Sequence, residues 1–345
     1  MPLRRGAACR YGTRMQRGEL NIGMVYDLRD DYLAAGYGLE ETAEFDKPDT
    51  IEGIESALRE LGFRTERVGN AQALVRALAA GRRWDLAFNI AEGLYGPGRE
   101  ALVPALLDAY RIPYTFSDPA VLTVCLDKAL TKRIVADAGV PTAPFAVLHA
   151  VADAGNVRLP FPLFLKPLTE GTGKGISPRS KVADAAELRA TAADLLDRFG
   201  QPVLVETYLP GREFTVGLAG DGDRAEILGV IEVVFRPGVT PIYSYQTKTD
   251  YEKLVDYTVP ADDAGREAAA VALAAWRALR CTDAGRIDVR CDAANRPNFI
   301  EVNPLAGLNP THSDLPILCR RNGIGFTQLI ERIMRHALRR HGLAT

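Results

Sequence analysis

Apolar and polar residues alternate along two short stretches near the C-terminal end, Gly285-Arg286-Ile287-Asp288-Val289-Arg290 and Phe299-Ile300-Glu301-Val302-Asn303-Pro304. A period of two predicts strands with one covered face. In the first, Ile287 and Val289 point to one side while Arg286, Asp288 and Arg290 point to the other. In the second, Ile300 and Val302 are expected in the core, with Glu301 and Asn303 on the opposite face. The connector Asp292-Ala293-Ala294-Asn295-Arg296-Pro297 is rich in turn formers, so an antiparallel hairpin is expected.

Elsewhere strand and helix patterns take turns. Residues 21–26 read as a first strand, and residues 50–61 as a helix with Ile51, Ile54, Leu58 and Leu61 on one face and Asp49 or Thr50 as N-cap. A helix over 71–80 closed by Gly81, a strand over 84–90 and a helix carrying Leu102, Leu106 and Tyr110 complete an α/β unit with a largely parallel sheet. A second unit starts near Ser117 with one helix over 121–138, then a strand over 162–166, a Gly-rich loop at 170–175, a helix over 185–199 and a strand over 203–206. Strands over 213–218 and 226–234 precede a loop at 240–258 dense in tyrosine, a helix over 264–280, the hairpin, and an amphipathic helix over 327–340. The boundaries expected are a basic, disordered tail over 1–18 and units over 19–117, 118–213 and 214–345.

Composition narrows the class. A chain of 345 residues is too long for one core. A formal charge of −2 carries no polyanion signal, so nucleic acid is not an expected partner. The tail, with Arg4, Arg5, Arg10, Arg14 and Arg17, lacks the apolar stretch of a secretory signal, and no run of eighteen apolar residues exists to span a membrane. Five scattered cysteines without Cys-x-x-Cys spacing argue against a disulfide framework or a zinc site and for the cytoplasm.

The hairpin places two acids and an amide carbonyl on one patch. Hard oxygen ligands so clustered suit a magnesium (or manganese) ion that also holds substrate phosphates, which points to ATP. An alternating polar face is ordinarily just solvated, so the remaining motifs decide. Leu165-Lys166-Pro167 ends an apolar strand, where a lysine is costly unless an anion meets it. Thr169-Glu170-Gly171-Thr172-Gly173-Lys174-Gly175 follows at once, able to fold tightly and present N–H groups to a phosphate. It is neither a Walker A loop nor a dinucleotide fingerprint. Residues 203–216 join two strands through a linker suited to an adenine edge, with an acid left for ribose hydroxyls.

Taken in order, Asp127-Lys128, Lys166-Pro167, Glu170-Gly171 with Gly175, Gly285-Arg286-Ile287-Asp288 and Glu301-Val302-Asn303 resemble the ATP-grasp enzymes, most closely the D-alanine–D-alanine ligase family, from about residue 20 to 335. The resemblance implies an ATP-grasp fold, α/β in class, with three α/β domains and the nucleotide between the central and C-terminal ones. It implies Lys128 and Lys166 on ATP phosphates, the loop with Thr172 and Lys174 as a lid, Glu206 and Leu209 on adenine and Glu213 on ribose. It further implies Lys248 near the γ-phosphate, and Asp288, Glu301 and Asn303 on two ions bridged by Glu301. Arg286 is expected at the oxyanion, and Gly307, Leu308 and Ser313 at the second substrate's carboxylate. The implied reaction is ATP-dependent ligation of D-alanine to D-alanine in cell-wall synthesis, or of another amino acid or carboxylate to an amine in specialised metabolism; phosphoryl transfer to a hydroxyl is the rival class. Dimers are the family's habit.

The substrate half departs from the family. Its Glu-x-x-x-Ser-type segment is absent, leaving Glu44 or Asp46 as the acid for the first substrate's amine. Its His-Gly-x-Gly-Gly-Glu-Asp segment is replaced by Asn89-Ile90-Ala91-Glu92-Gly93 and Gly96-Pro97-Gly98-Arg99-Glu100. Thr172 stands where a substrate-orienting serine is usual.

Overall fold

A computed structural model gives the protein's architecture over residues 17–239 and 251–343. The basic tail up to residue 16 and the segment 240–250, which holds Lys248, lie outside the described residues. Three sheets organise the chain. The first, in order β2-β1-β3, is parallel and contains β1 (Asn21–Val25), β2 (Arg64–Gly69) and β3 (Leu86–Asn89). The second is antiparallel, with β4 (Phe145–Leu148), β5 (Leu163–Pro167), β6 (Lys181–Val182) and β7 (Val203–Thr207) in order β4-β7-β5-β6. The third, in order β10-β9-β8-β11-β12, is also antiparallel: β8 (Glu213–Ala219), β9 (Glu226–Phe235), β10 (Val255–Thr258), β11 (Ala284–Cys291) and β12 (Pro297–Asn303).

Several expectations are corrected by local chemistry. The single helix over 121–138 is two, Pro119–Leu126 and Lys128–Asp137, because Asp127 takes an extended conformation and its carboxylate accepts the N–H groups of Ala129 and Leu130. That cap places Lys128 at the first turn of the second helix. The helix expected over 50–61 begins earlier, at Pro48, with Lys47 as N-cap and Pro in the first turn. Within 240–258, Val255–Thr258 is not loop but pairs with β9. Strands β2 and β4, the short helix Arg29–Ala34 and the helix Asp314–Arg321 are additional to the expected elements.

The third sheet is covered on one side by the helix Asp263–Leu279, whose Ala268, Ala272, Ala275 and Trp276 pack on Val216, Ile287 and Val289. Its other side meets Asp314–Arg321 and Phe326–Arg340, in a core shared with the parallel sheet through Ile22, Ile54, Leu315 and Ile333. Close approach fixes the hairpin's base: a Cβ on Gly285 would lie 2.5 Å from the Asn303 carbonyl oxygen and 2.7 Å from the Trp276 ring. Gly285→Val is therefore expected to lose about 1–3 kcal/mol of stability, read as a lowered urea midpoint. Among the described residues no helix is long and apolar enough to cross a membrane.

Candidate active site

The hairpin forms as expected, with one correction. Asp288 faces Glu301 and Arg286 faces Asn303 in antiparallel register, so all four share a face. Between Asp288 and Val289 the register slips: Val289 pairs with Phe299, leaving Ile300 as the extra residue of a bulge. Phe299 therefore takes the core position assigned to Ile300, and Ile300 turns into a cleft beside Asp288 and Glu301.

That cleft, about 680 Å³, opens between the second and third sheets. Phe164, Ile176, Leu209 and Ile300 give it apolar walls, and Glu213 stands at one end, paired at 2.9 Å with Arg290. Arg290 also reaches the Tyr208 hydroxyl at 3.3 Å. The Glu206 carboxylate at this cleft is already engaged: it pairs with Lys132 at 2.5 Å and Lys166 at 3.2 Å. Lys166 also approaches Glu301 at 3.4 Å. Burial opposes the Lys166 charge, yet Glu206 and Glu301 outweigh it and hold its pKa above the ordinary lysine value. Burial drives the Lys128 pKa down, with Lys166 and Arg99 adding to that and Glu301 and Glu44 offsetting it in part.

A second, more polar cavity, partly open to solvent, lies across the hairpin. Lys128, Thr172, Arg286, Asn303 and Gly307 line it, and Glu301 lines both cavities. The Gly-rich loop folds over it. Lys128 donates to the Glu170 carbonyl, and Lys174 pairs with the Glu170 carboxylate and, at 3.5 Å, with Glu44. Glu44 also pairs with Arg99 at 2.9 Å and accepts the Gly171 N–H at 2.7 Å. The acid nominated for a substrate amine is thus a clasp between the parallel-sheet unit and the loop. Burial by itself raises Glu44, but Arg99 and then Lys174 outweigh it and hold its pKa below the usual carboxylate value. A depressed folded pKa adds stability above the unfolded value that is lost as pH falls. Glu44→Gln is accordingly expected to flatten the acid-side decline of the urea midpoint, measured from roughly pH 7 to pH 4.

Arg286 pairs with Asp288, whose other oxygen accepts the Thr215 hydroxyl at 2.9 Å, and lies 3.6 Å from Asp314. Ser313 sits at the N-cap of Asp314–Arg321 and accepts the Asn309 N–H at 3.0 Å. A Cβ on Gly307 would stand 2.9 Å from the Ser313 hydroxyl, so the two are adjacent. The Leu308 side chain belongs to the core, which leaves only its main chain for a ligand. Desolvation, and then the nearby Asp27 carboxylate, pushes the Asp46 pKa up to about 8. Lys132 and Arg99 had no role in the sequence reading. Lys132 lies four residues after Lys128 on the same helix, yet its ammonium meets Glu206 of β7 while that of Lys128 meets the Glu170 carbonyl.

For a divalent ion, the donor set is Asp288, Glu301 and Asn303; among the described residues no group of three His, Cys, Asp or Glu side chains is arranged to hold a metal. Two carboxylates and the Asn303 amide oxygen are hard donors that fit a cation completed by phosphate oxygens, and the buried Asn303 Nδ2, without a partner among the described residues, is left to donate to such an oxygen.

Comparisons with known proteins bear on the family and the fold. The family model described as D-ala D-ala ligase C-terminus matches residues 134–335. A D-alanine–D-alanine ligase of Bordetella petrii is 35% identical over 92% of this chain and 91% of its own length. An uncharacterized protein, y4sG, of Sinorhizobium fredii is 29% identical over 84% of this chain and 88% of its own. Among solved structures, a Bacillus anthracis D-alanine–D-alanine ligase complexed with ATP superposes at TM-score 0.69 with 21% identity, covering 93% of this chain and 98% of that one. The same enzyme in a second structure gives 0.71 at 20% identity. The fold is ATP-grasp, and with a family model over more than half its length and a 35% identical relative along nearly all of it, the chain belongs to the D-alanine–D-alanine ligase family.

Proposed function

We propose that the protein is an ADP-forming carboxylate–amine ligase that joins amino acids in the manner for which its D-alanine–D-alanine ligase relatives are named. One observation carries this: Glu301 lines both cavities, so a nucleotide in the apolar one presents its terminal phosphate where an acceptor in the charged one begins. In the first step a substrate carboxylate oxygen attacks the γ-phosphorus of ATP and ADP leaves, giving an acyl phosphate. In the second an amine attacks the acyl carbon, phosphate leaves with the C–O electron pair, and the amine loses a proton to yield the amide.

The residues fit that sequence. Lys128 and Lys166 neutralise phosphoryl oxygens, Leu209 and the main chain at Glu206 frame adenine, and Glu213 meets ribose hydroxyls. Thr172 and Lys174 belong to the loop over the phosphates. Asp288, Glu301 and Asn303 would hold magnesium, two ions with Glu301 between them, which supplies charge neutralisation at the phosphates. Arg286 stabilises the developing oxyanion, and Gly307, the Leu308 main chain and Ser313 receive a carboxylate. Lys248 keeps its place near the γ-phosphate on sequence grounds. The boundaries at 118 and 214 suit the same reading, since β4–β7 fall within the middle unit and β8, but for its first residue Glu213, through β12 within the last.

ADP release measured with acid and amine supplied singly and together tests the proposal. Release that needs both, with amide product, is the expected result. Phosphate found covalently on an alcohol would make the enzyme a phosphotransferase instead.

A further inference from the structure

The charged cavity holds two acids that the proposed reaction does not use. Glu92 follows β3, and Glu100 lies in the turn Arg99–Ala101; both line the cavity. Among the described residues neither carboxyl has a hydrogen-bond or ion-pair partner. The cations nearby are already engaged. Arg99 spends one arm on Glu44 and the other on the Thr169 carbonyl, both at 2.9 Å. Lys174 is shared by Glu44 and Glu170, and Lys128 donates to the Glu170 carbonyl.

Two acids lining one cavity, each without a direct partner, are unfavourable without a counter-charge. Burial, followed by Glu100, pushes Glu92 well above the ordinary carboxyl range. Burial likewise lifts Glu100 to about 7, against the opposing pull of Arg99. Each group therefore gains most from an incoming cation. The cavity is walled by Cys125, Leu126, Thr172, Val302, Pro304 and Leu305 and opens to solvent, so an organic cation can enter it. The α-ammonium of a simple amino acid would balance one of the two acids and leave the other.

We propose that this cavity selects a substrate with two cationic groups, an amino acid bearing a side-chain amine or a diamine, and that Glu92 and Glu100 hold them. The inference rests on the ligase reading and deepens it by naming the substrate class. It makes these two glutamates specificity-determining residues, in the place where the chain departs from its family's sequence pattern.

Calorimetric titration of the full chain, saturated with AMP-PNP and magnesium, compares lysine and ornithine with the uncharged isostere norleucine, each as D and L forms. At least one diamino acid is expected to bind roughly tenfold or more tighter than norleucine. Glu92→Gln and Glu100→Gln, which keep side-chain shape, are each expected to shrink that ratio to below about threefold. The parent comparison needs no variant to fold. AMP-PNP binding accompanied by equal affinity for lysine, ornithine and norleucine overturns this inference alone. Failure of AMP-PNP to bind overturns the ligase reading and this one with it.

Discussion

Replacing Glu301 by Gln is expected to slow ATP-dependent ligation by about a hundredfold or more, the usual cost of deleting one preorganised electrostatic group at a phosphoryl centre. The residue faces Asp288 across the hairpin, lies 3.4 Å from Lys166 and borders both cavities. An amide keeps its shape but removes the negative charge that a divalent ion requires. Because Lys166 keeps Glu206 as a partner at 3.2 Å, the fold is expected to survive, and the loss falls on turnover and on the magnesium concentration needed for half-maximal rate. Steady-state kinetics across a magnesium series separate the two. A variant turning over within a few-fold of the parent at every magnesium concentration would remove Glu301 from the metal site and with it the proposed junction.

The sequence was most legible where period and chemistry coincide. Alternation along 285–303 placed Arg286, Asp288, Glu301 and Asn303 on one face, and they are there. Alternation cannot register an inserted residue, so Ile300 was assigned to the core and lies instead in the cleft between the second and third sheets. A continuous apolar run hid the break at Asp127, which depends on a capping bond rather than on hydrophobic period. Strand β2, Arg64-Thr65-Glu66-Arg67-Val68-Gly69, is an edge strand with little buried side chain, so its pattern resembles a loop. Glu44 shows a different limit. Its type suited an ammonium, but only the tertiary structure shows that Arg99, Lys174 and the Gly171 N–H already share its carboxylate.

Lys132 was hidden for the same reason, and it yields the larger prediction for stability. Its neighbours Thr131 and Arg133 make it look like a solvated helix residue, yet it is fully buried, with its ammonium against Glu206 and 2.6 Å from the Thr142 hydroxyl. Lys132, Glu206, Lys166 and Glu301 alternate in sign along a buried line. Burial raises the Glu206 pKa, but Lys132 and then Lys166 reverse that and keep it ionised. Lys132→Met preserves length and removes the outer charge, leaving Glu206 to one lysine that also serves Glu301. Breaking a buried pair in this way costs about 3–5 kcal/mol, and thermal unfolding of the variant should shift down accordingly. Lys166 should also be drawn toward Glu206 and away from the phosphates, raising the KM for ATP. Adding Glu206→Gln to Lys132→Met should recover part of the stability, since the stranded charge is then gone, while the KM stays high. If Lys132→Met melts with the parent, the ammonium contributes nothing to the array, and Lys166 alone holds Glu206 in place beneath the nucleotide.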